Sequence, residues 1–257
     1  MFEAAYLQSI ICPVGRFIVL GEKVEIQKIY GTGFFIGDDG LFLTARHVIE
    51  TVRADVEVEG GHIGLFPMQP TSSGPVSFNA IVLDYEIAPH HIDAVLGRTG
   101  YRCKSFLKLG NPDVDVWQDI GTTGYPVQTI EKVGDKIEMQ QRAHKGYIQR
   151  VVPAQRIRTG PKADSFELSF AITQGMSGAP LFIHQAEHEL VIGICVGSHQ
   201  SRVTEYENIE IHEGQSKYSE KLFRIEEFGM AHDVRALIDW TPKLLGGMSL
   251  GRATNSI

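Results

Sequence analysis

The sequence predicts an all-β fold built from two antiparallel β-barrels with a helix at the C-terminal end. Short runs of β-forming residues alternate with turn residues in the first half of the chain, and a second series of the same kind fills the later half. Helical patterns are few by comparison. We expect each series to form one barrel and the last helix to lie across the back.

The first series combines β-type runs with one helical pattern. The helix is predicted over 45–53. The segment 59–76 is rich in glycine, proline and serine, and this composition predicts a loop. The predicted strands are 15–20, 24–30, 33–36, 41–44, 80–83 and 94–96.

The second series repeats the pattern and ends in the terminal helix, which is predicted over 231–245. The segment 198–220 is long, polar and charged, and we expect a surface loop that is either a solvated insertion or a lid, a regulatory loop or a partner contact. The predicted strands are 119–123, 136–152, 165–170, 180–183 and 190–196.

Composition limits the functions that the chain can have. The formal net charge is -7, from 24 Lys and Arg against 31 Asp and Glu, and this balance argues against a general nucleic-acid surface. No apolar run approaches the roughly 18 residues of a membrane-spanning helix. Cys12, Cys103 and Cys195 are odd in number and far apart, so we expect buried thiols rather than a disulfide framework. The first residues lack the basic segment of a secretory signal, and this also favours a cytoplasmic protein.

Ser177 is the candidate nucleophile. It lies in the segment 174–180, QGMSGAP, whose glycines indicate a tight turn before an apolar run. Serine is a weak nucleophile at its own pKa and needs a histidine base that a carboxylate orients. The segment 44–47, TARH, supplies His47, and 91–94, HIDA, supplies Asp93. The chain order is therefore His47, Asp93, Ser177.

Other residues compete for the acid and base positions. Asp84 is a second carboxylate, at the end of the predicted strand 80–83. His90 and His91 adjoin Asp93, but they lack the Thr-Ala-x-His setting of His47. We therefore expect both of these histidines to be surface residues.

Taken together, these segments resemble the trypsin-like (chymotrypsin-fold) serine proteases, and most closely the bacterial HtrA-type branch. An α/β-hydrolase would place its serine first and would require G-x-S-x-G, whereas Ala179 stands at the last of these positions. The segment 31–49 is similar to the strand, turn, strand and histidine helix of that branch, and 175–181 is similar to its nucleophile segment. The resemblance covers about residues 30–240, and it departs from the family at Ala179 and at Ala94, which directly follows Asp93.

The resemblance implies a single protease domain over 1–257 with two six-stranded barrels. About 1–115 would form the barrel with His47 and Asp93, about 116–240 the barrel with Ser177, and 241–257 a tail. A PDZ domain of the HtrA kind is not expected at this length.

The resemblance also implies a role for each candidate residue. Ser177 would attack the scissile carbonyl, His47 would carry the proton and Asp93 would orient the imidazole. The N–H groups of Gly175 and Ser177 would form the oxyanion hole. Met176 stands where proteases activated by cleavage have an aspartate, which implies no activation of the trypsinogen type.

Substrate binding is assigned through the same resemblance. Ala171, six residues before the nucleophile, would form the base of the primary pocket, with Val196, Gly197 and Ser198 as its wall. Such a pocket favours a small or medium apolar residue before the cleaved bond. His199 is an alternative lining residue that would favour an acidic side chain instead.

The leading hypothesis is a serine endopeptidase that cleaves a protein or peptide through an acyl-enzyme, with a regulatory protein as a further partner. The alternatives are a binding or scaffold module with little turnover, a dormant protease that a partner activates, and an esterase with the same triad. We expect no metal and no cofactor, since the chain lacks H-E-x-x-H, paired cysteines and a phosphate-binding glycine loop. Nucleic acid and membranes are not expected as partners.

Overall fold

The first half of the chain folds into a closed barrel of six strands. A computed structural model describes residues 4–71, 74–89, 91–133, 136–157, 162–185, 188–211 and 217–254. The strands are β1 (Ile11–Leu20), β2 (Lys23–Phe35), β3 (Leu41–Thr44), β4 (His62–Leu65), β5 (Met68–Thr71), β6 (Gly74–Ser77), β7 (Ala80–Ile87) and β8 (Val95–Thr99). The antiparallel barrel has the order β1-β2-β3-β8-β7-β4, and β5 and β6 form a separate hairpin.

Close packing of large and small side chains fills this barrel. All of β3 is buried, which explains its continuous Leu-Phe-Leu-Thr run. A Cβ atom on Gly97 would lie 2.3 Å from Cζ of Phe42, so the glycine makes room for the aromatic ring on the neighbouring strand.

The second half forms another ring of six strands. The strands are β9 (Lys108–Leu109), β10 (Asp119–Gly124), β11 (Ile130–Val133), β12 (Lys136–Met139), β13 (Arg142–Val152), β14 (Ser165–Leu168), β15 (Pro180–Gln185), β16 (His188–Ile211) and β17 (Lys217–Asp233). The order β15-β10-β13-β14-β17-β16 closes because β15 also pairs with β16. Outside the ring, β9 pairs in parallel with β16, and β11 and β12 form a hairpin. The prediction of two six-stranded barrels is confirmed.

The two barrels share apolar packing. The core of the first barrel continues onto Val191 and Ile194 of β16 and onto Val234 and Leu237 just beyond β17. The three cysteines are buried free thiols, as predicted. Among the described residues, no helix is long and apolar enough to cross a membrane.

The helices differ in part from the prediction. A short α1 (Ala4–Ile10) precedes the first barrel, and α2 (Arg46–Glu59) begins where predicted but runs on to a glycine with left-handed φ, Gly60. The predicted helix over 231–245 is wrong in position, because Ala231 and His232 pair with β14 inside the barrel and Pro242 interrupts the pattern. Two 3-10 turns follow, and the C-terminal helix is the short α3 (Leu250–Ala253), capped by Ser249.

Both predicted loops contain strands. The segment 59–76 includes all or part of β4, β5 and β6, which are too short for a periodic pattern to identify. The segment 198–220 belongs to a long hairpin of β16 and β17, and its residues 212–216 lie outside the described part of the chain. Cross-strand pairs such as Lys221 with Glu207 (2.7 Å) explain why a charged segment forms a ribbon.

Candidate active site

His47 and Asp93 are held together by two contacts. His47 is the second residue of α2, directly after β3, and Asp93 lies just before β8. Asp93 Oδ1 accepts a hydrogen bond from the backbone N–H of His47 (3.0 Å), and Asp93 Oδ2 lies 2.6 Å from His47 Nδ1. The side chain of Asp93 is 11% exposed and that of His47 is 45% exposed. The carboxylate therefore fixes the ring from the protein side, while the ring itself faces solvent.

The ionisation of Asp93 suits this arrangement. Burial alone would raise the pKa of the carboxyl, but the hydrogen bonds and the charge of His47 outweigh burial and lower the pKa below its ordinary value. An ionised Asp93 accepts the Nδ1 proton of His47. This leaves Nε2 of the imidazole as the basic nitrogen.

The competing residues lie elsewhere. Asp84 is in β7, and its carboxylate accepts a hydrogen bond from the backbone N–H of Tyr85 (2.8 Å) instead of contacting His47. His91 is exposed with a left-handed φ of 59°, and it lines a cavity of about 300 Å³ beside His47 and Asp93. His90 lies outside the described residues.

Glycine brings the Ser177 turn against the first barrel. Gly178 has a φ of 87°, and a Cβ atom there would lie 2.0 Å from the carbonyl O of Thr32 and 2.9 Å from N of Ala45. The backbone N–H of Thr32 donates to the carbonyl O of Ser177 (2.8 Å). Since Ala45 is only two residues before His47, this close approach places the serine turn next to the histidine.

The hydroxyl of Ser177 lies next to strand β16. Its Oγ lies 3.5 Å from the carbonyl O of Val196, at the long limit of a hydrogen bond. Within the described ranges, Ser177 makes no hydrogen bond to His47. In proteases without substrate such contacts are often long, and they tighten when substrate binds.

Two backbone N–H groups of the serine turn, those of Gly175 and Ser177, have no acceptor among the described residues. Gly175 has a φ of 94°, and its carbonyl O accepts a hydrogen bond from Thr32 Oγ1 (2.8 Å). The carbonyl O of Gln174 accepts from Val127 N (2.9 Å). The carbonyl O of Met176, in the same peptide group as Ser177 N, accepts from Ala179 N (3.0 Å). With the carbonyls of Gln174 and Met176 turned into the protein, the N–H groups of Gly175 and Ser177 donate to no acceptor in the part of the chain that the structure describes. Such a pair can bind an anionic oxygen.

Thr32 supports this turn from the other barrel, and the sequence motifs did not identify it. Its hydroxyl also accepts a hydrogen bond from the backbone N–H of Tyr125 (3.0 Å). Ala179 departs from the family's glycine, and its side chain lies against Gly124, which has none: a Cβ atom on Gly124 would lie 3.2 Å from Cβ of Ala179. A threonine between two glycines, Gly31 and Gly33, was the only sequence signal for Thr32.

Two hydrogen bonds between Ser198 and Ile172 join the segments that are expected to bind substrate. Ser198 Oγ accepts a hydrogen bond from Ile172 N (2.7 Å) and donates to Ile172 O (3.1 Å), which joins the wall to the residue after Ala171. Val196 interrupts the pairing of β16 with β17, and a Cβ atom on Gly197 would meet no atom within 4 Å. The open space beside Gly197 leaves room for a bound peptide.

The His199 ring contacts neighbouring strands. Its Nε2 lies 3.2 Å from Glu167 Oε2, and its ring lies 5.6 Å from that of Phe228. Selection of an acidic side chain by His199 stays a prediction.

The trypsin-like peptidase family model matches residues 31–194 of the chain. The chain belongs to this family. The match spans the two motif segments, the Asp93 segment between them and the first strands of the second barrel. No curated protein sequence matches the chain.

Solved structures of similar fold include proteases. The active form of the Rv3671c protease from M. tuberculosis is 18% identical, with a TM-score of 0.50 over 89% of this chain and 78% of that chain. The MamO protease domain from Magnetospirillum magneticum is 12% identical, with a TM-score of 0.52 over 90% and 95%. The HtrA-type protease AlgW with a decapeptide is 12% identical, with a TM-score of 0.53 over 89% and 61%. At these identities the likeness shows the fold.

This trypsin-like peptidase has one further polar group at the site that sequence reasoning missed. His232 in β17 accepts a hydrogen bond on Nδ1 from the backbone N–H of Asp93 (2.8 Å). It is 139 residues away in sequence, and no local motif marks it. Among the described residues, no group of three metal-binding side chains occurs.

Proposed function

We propose that the protein is a serine endopeptidase in which Ser177, His47 and Asp93 form the catalytic triad. The observation that carries the proposal is the doubly bonded pair of His47 and Asp93 beside a serine turn in which two N–H groups donate to no described acceptor. Membership of the trypsin-like peptidase family supports it. Each part matches one requirement of acyl transfer: a nucleophile, an oriented base and a site for the oxyanion.

The proposed reaction starts with attack of Ser177 Oγ on the scissile carbonyl carbon. His47 Nε2 takes the hydroxyl proton, and Asp93 stabilises the imidazolium that forms. The oxygen of the tetrahedral intermediate accepts hydrogen bonds from the N–H groups of Gly175 and Ser177. His47 then gives the proton to the leaving amine as the C–N bond breaks, and an acyl-enzyme remains. Water, deprotonated by His47, then attacks the ester carbon. The bond to Ser177 Oγ breaks as His47 returns the proton to that oxygen, and the acid is released.

We propose that the substrate lies in an extended conformation beside Val196 and Gly197. Among the described residues, the backbone pairing along this edge of β16 ends at Cys195, which bonds to Gly178 and Ala179, so the edge at Val196 and Gly197 is unpaired. An unpaired strand edge binds an extended peptide by main-chain hydrogen bonds. The uncharged Ala171 and the two hydrogen bonds between Ser198 and Ile172 support a preference for a small or medium apolar residue before the cleaved bond.

Labelling with a fluorophosphonate probe tests the triad. The wild type should form an adduct on Ser177 that mass spectrometry locates, and Ser177→Ala and His47→Ala should abolish it. The exposed Ser77 and His62 provide matched controls, because Ser77→Ala and His62→Ala should leave the adduct unchanged. An adduct at another serine would exclude Ser177 as the nucleophile.

The orientation of Ser177 favours one second candidate, a dormant protease that a partner activates. Its hydroxyl lies 3.5 Å from the Val196 carbonyl O and, among the described residues, makes no hydrogen bond to His47. A folded wild type without any adduct would support this candidate, and labelling would then appear only when the activating protein is present. Adduct formation by the purified protein alone would rule it out.

A further inference from the structure

His232 links the candidate acid of the first barrel to a strand of the second. It lies in β17, opposite Ser165 of β14 and Ile194 of β16, and it is 4% exposed. Its Nδ1 accepts the backbone N–H of Asp93 at 2.8 Å. The Asp93 loop is thus tied to the barrel that carries Ser177.

The protonation of His232 suits an acceptor. Burial lowers its pKa below the ordinary value, and this effect together with the charge of His47 outweighs the opposing effect of Asp93. A neutral imidazole keeps the Nδ1 lone pair free for the Asp93 N–H. Without that acceptor, the buried N–H group would lose its partner.

The hydrogen bonds around Asp93 fix both its carboxylate and its backbone. Both carboxylate oxygens are committed to His47, one to its backbone N–H and one to Nδ1. The backbone N–H of Asp93 is committed to His232. A shift of the Asp93 backbone would therefore change the direction of the carboxylate, and with it the orientation of the imidazole.

We propose that His232 is a positioning residue, which acts through the backbone of Asp93 to keep His47 aligned with Ser177. The proposal rests on the proposed triad. His232 itself does not touch the reacting atoms. Its role is to supply a fixed acceptor from the second barrel for a loop of the first.

Two side chains of the same branched shape separate positioning from packing. In His232→Asn, the amide oxygen can accept the Asp93 N–H, whereas His232→Leu offers no acceptor. We expect His232→Leu to lower kcat about 10- to 100-fold with little change in KM, because a misplacement of about 1 Å has effects of that size. His232→Asn should retain most of the wild-type kcat.

A double-mutant cycle shows whether His232 acts through Asp93. In an Asp93→Ala background, His232→Leu should cause no further loss in the rate of fluorophosphonate labelling. Full additivity of the two losses would overturn the proposal. Equal kcat values for His232→Asn and His232→Leu at equal Tm would also overturn it.

Nuclear magnetic resonance provides readouts that do not require activity. The N–N scalar coupling across the hydrogen bond from Asp93 to His232 can be sought in the wild type, so the test survives if His232→Leu fails to fold. Absence of this coupling in the wild type would overturn the proposal. In His232→Leu, the proton resonance of His47 Nδ1–H should move towards its position in His232-intact Asp93→Ala, whereas in His232→Asn it should remain at the wild-type position. If the wild type were not labelled by the probe, the proposed function would fail, but these readouts would still test His232.

Discussion

Replacing Gly175 by alanine tests whether the two free N–H groups form an oxyanion hole. A left-handed φ, here 94°, costs an L-residue about 1–2 kcal/mol. The new Cβ would also lie 2.4 Å from the carbonyl O of Tyr125 and 2.7 Å from N of Val127, both backbone atoms that cannot rotate away. The turn would have to move by about 1 Å, a misplacement that can lower a rate about 100-fold.

The movement would displace a donor from the oxyanion. Loss of one donor lowers turnover by about 10²–10³-fold, which corresponds to about 3–4 kcal/mol of transition-state stabilisation. We therefore expect Gly175→Ala to lower kcat by about 10²–10³-fold while KM changes little. Steady-state hydrolysis of a short peptide ester, together with the rate of fluorophosphonate labelling, measures both effects.

A second glycine controls for backbone strain alone. Gly21, in the turn between β1 and β2, has a φ of 62°, and a Cβ atom there would meet no atom within 4 Å. Gly21→Ala should cost stability of about 1–2 kcal/mol without changing kcat. Wild-type kcat in folded Gly175→Ala would refute the assignment of the oxyanion hole.

The remaining predictions concern pH and the long hairpin. Burial lowers the pKa of both His232 and His144, and the charge of Arg142 lowers the pKa of His144 further. The stabilising effect of keeping these rings neutral is therefore complete above the ordinary pKa of about 6.5. It is lost as the pH falls through the lowered values. Urea unfolding should show a smaller decrease below about pH 6.5 in the double variant His232→Asn, His144→Asn, and an unchanged decrease would contradict this reasoning. Replacing 201–226 by a short turn should leave Tm and probe labelling unchanged, because the described residues of this segment pair with each other. It should slow cleavage of an unfolded protein, because exposed apolar side chains such as Leu222 and Ile225 lie beyond the proposed peptide edge. Equal cleavage of that substrate would contradict the second prediction.

Local sequence patterns predicted much of the fold and identified the candidate residues. Runs such as 41–44 and 119–123 have enough β-forming residues between turns to be identified alone. The segments around His47 and Ser177 combine chemistry-bearing residues with glycines at fixed spacing. The order of the three segments then distinguished a trypsin-like arrangement from other serine hydrolases.

The errors came from pairings that the local sequence does not contain. Residues 231–245 have helical composition, but their first part completes a barrel ladder with β14. The charged segment 198–220 has the composition of a loop, but it gains cross-strand partners only when β16 and β17 meet. Tertiary context overrides local propensity in both cases.

The candidate site depends on contacts between the barrels as much as on the triad residues. A Cβ atom on Gly31 would lie 2.6 Å from Cγ2 of Val48 and 2.8 Å from the carbonyl O of Ser177, so this glycine allows the histidine helix and the serine turn to meet. Thr32 supports the Gly175 turn from the first barrel, and His232 supports the Asp93 loop from the second. Each barrel thus supports candidate residues of the other barrel. A small change in how the barrels pack therefore alters the geometry of the base, the acid and the oxyanion site together. Substitutions at this interface should therefore reduce activity before they unfold either barrel.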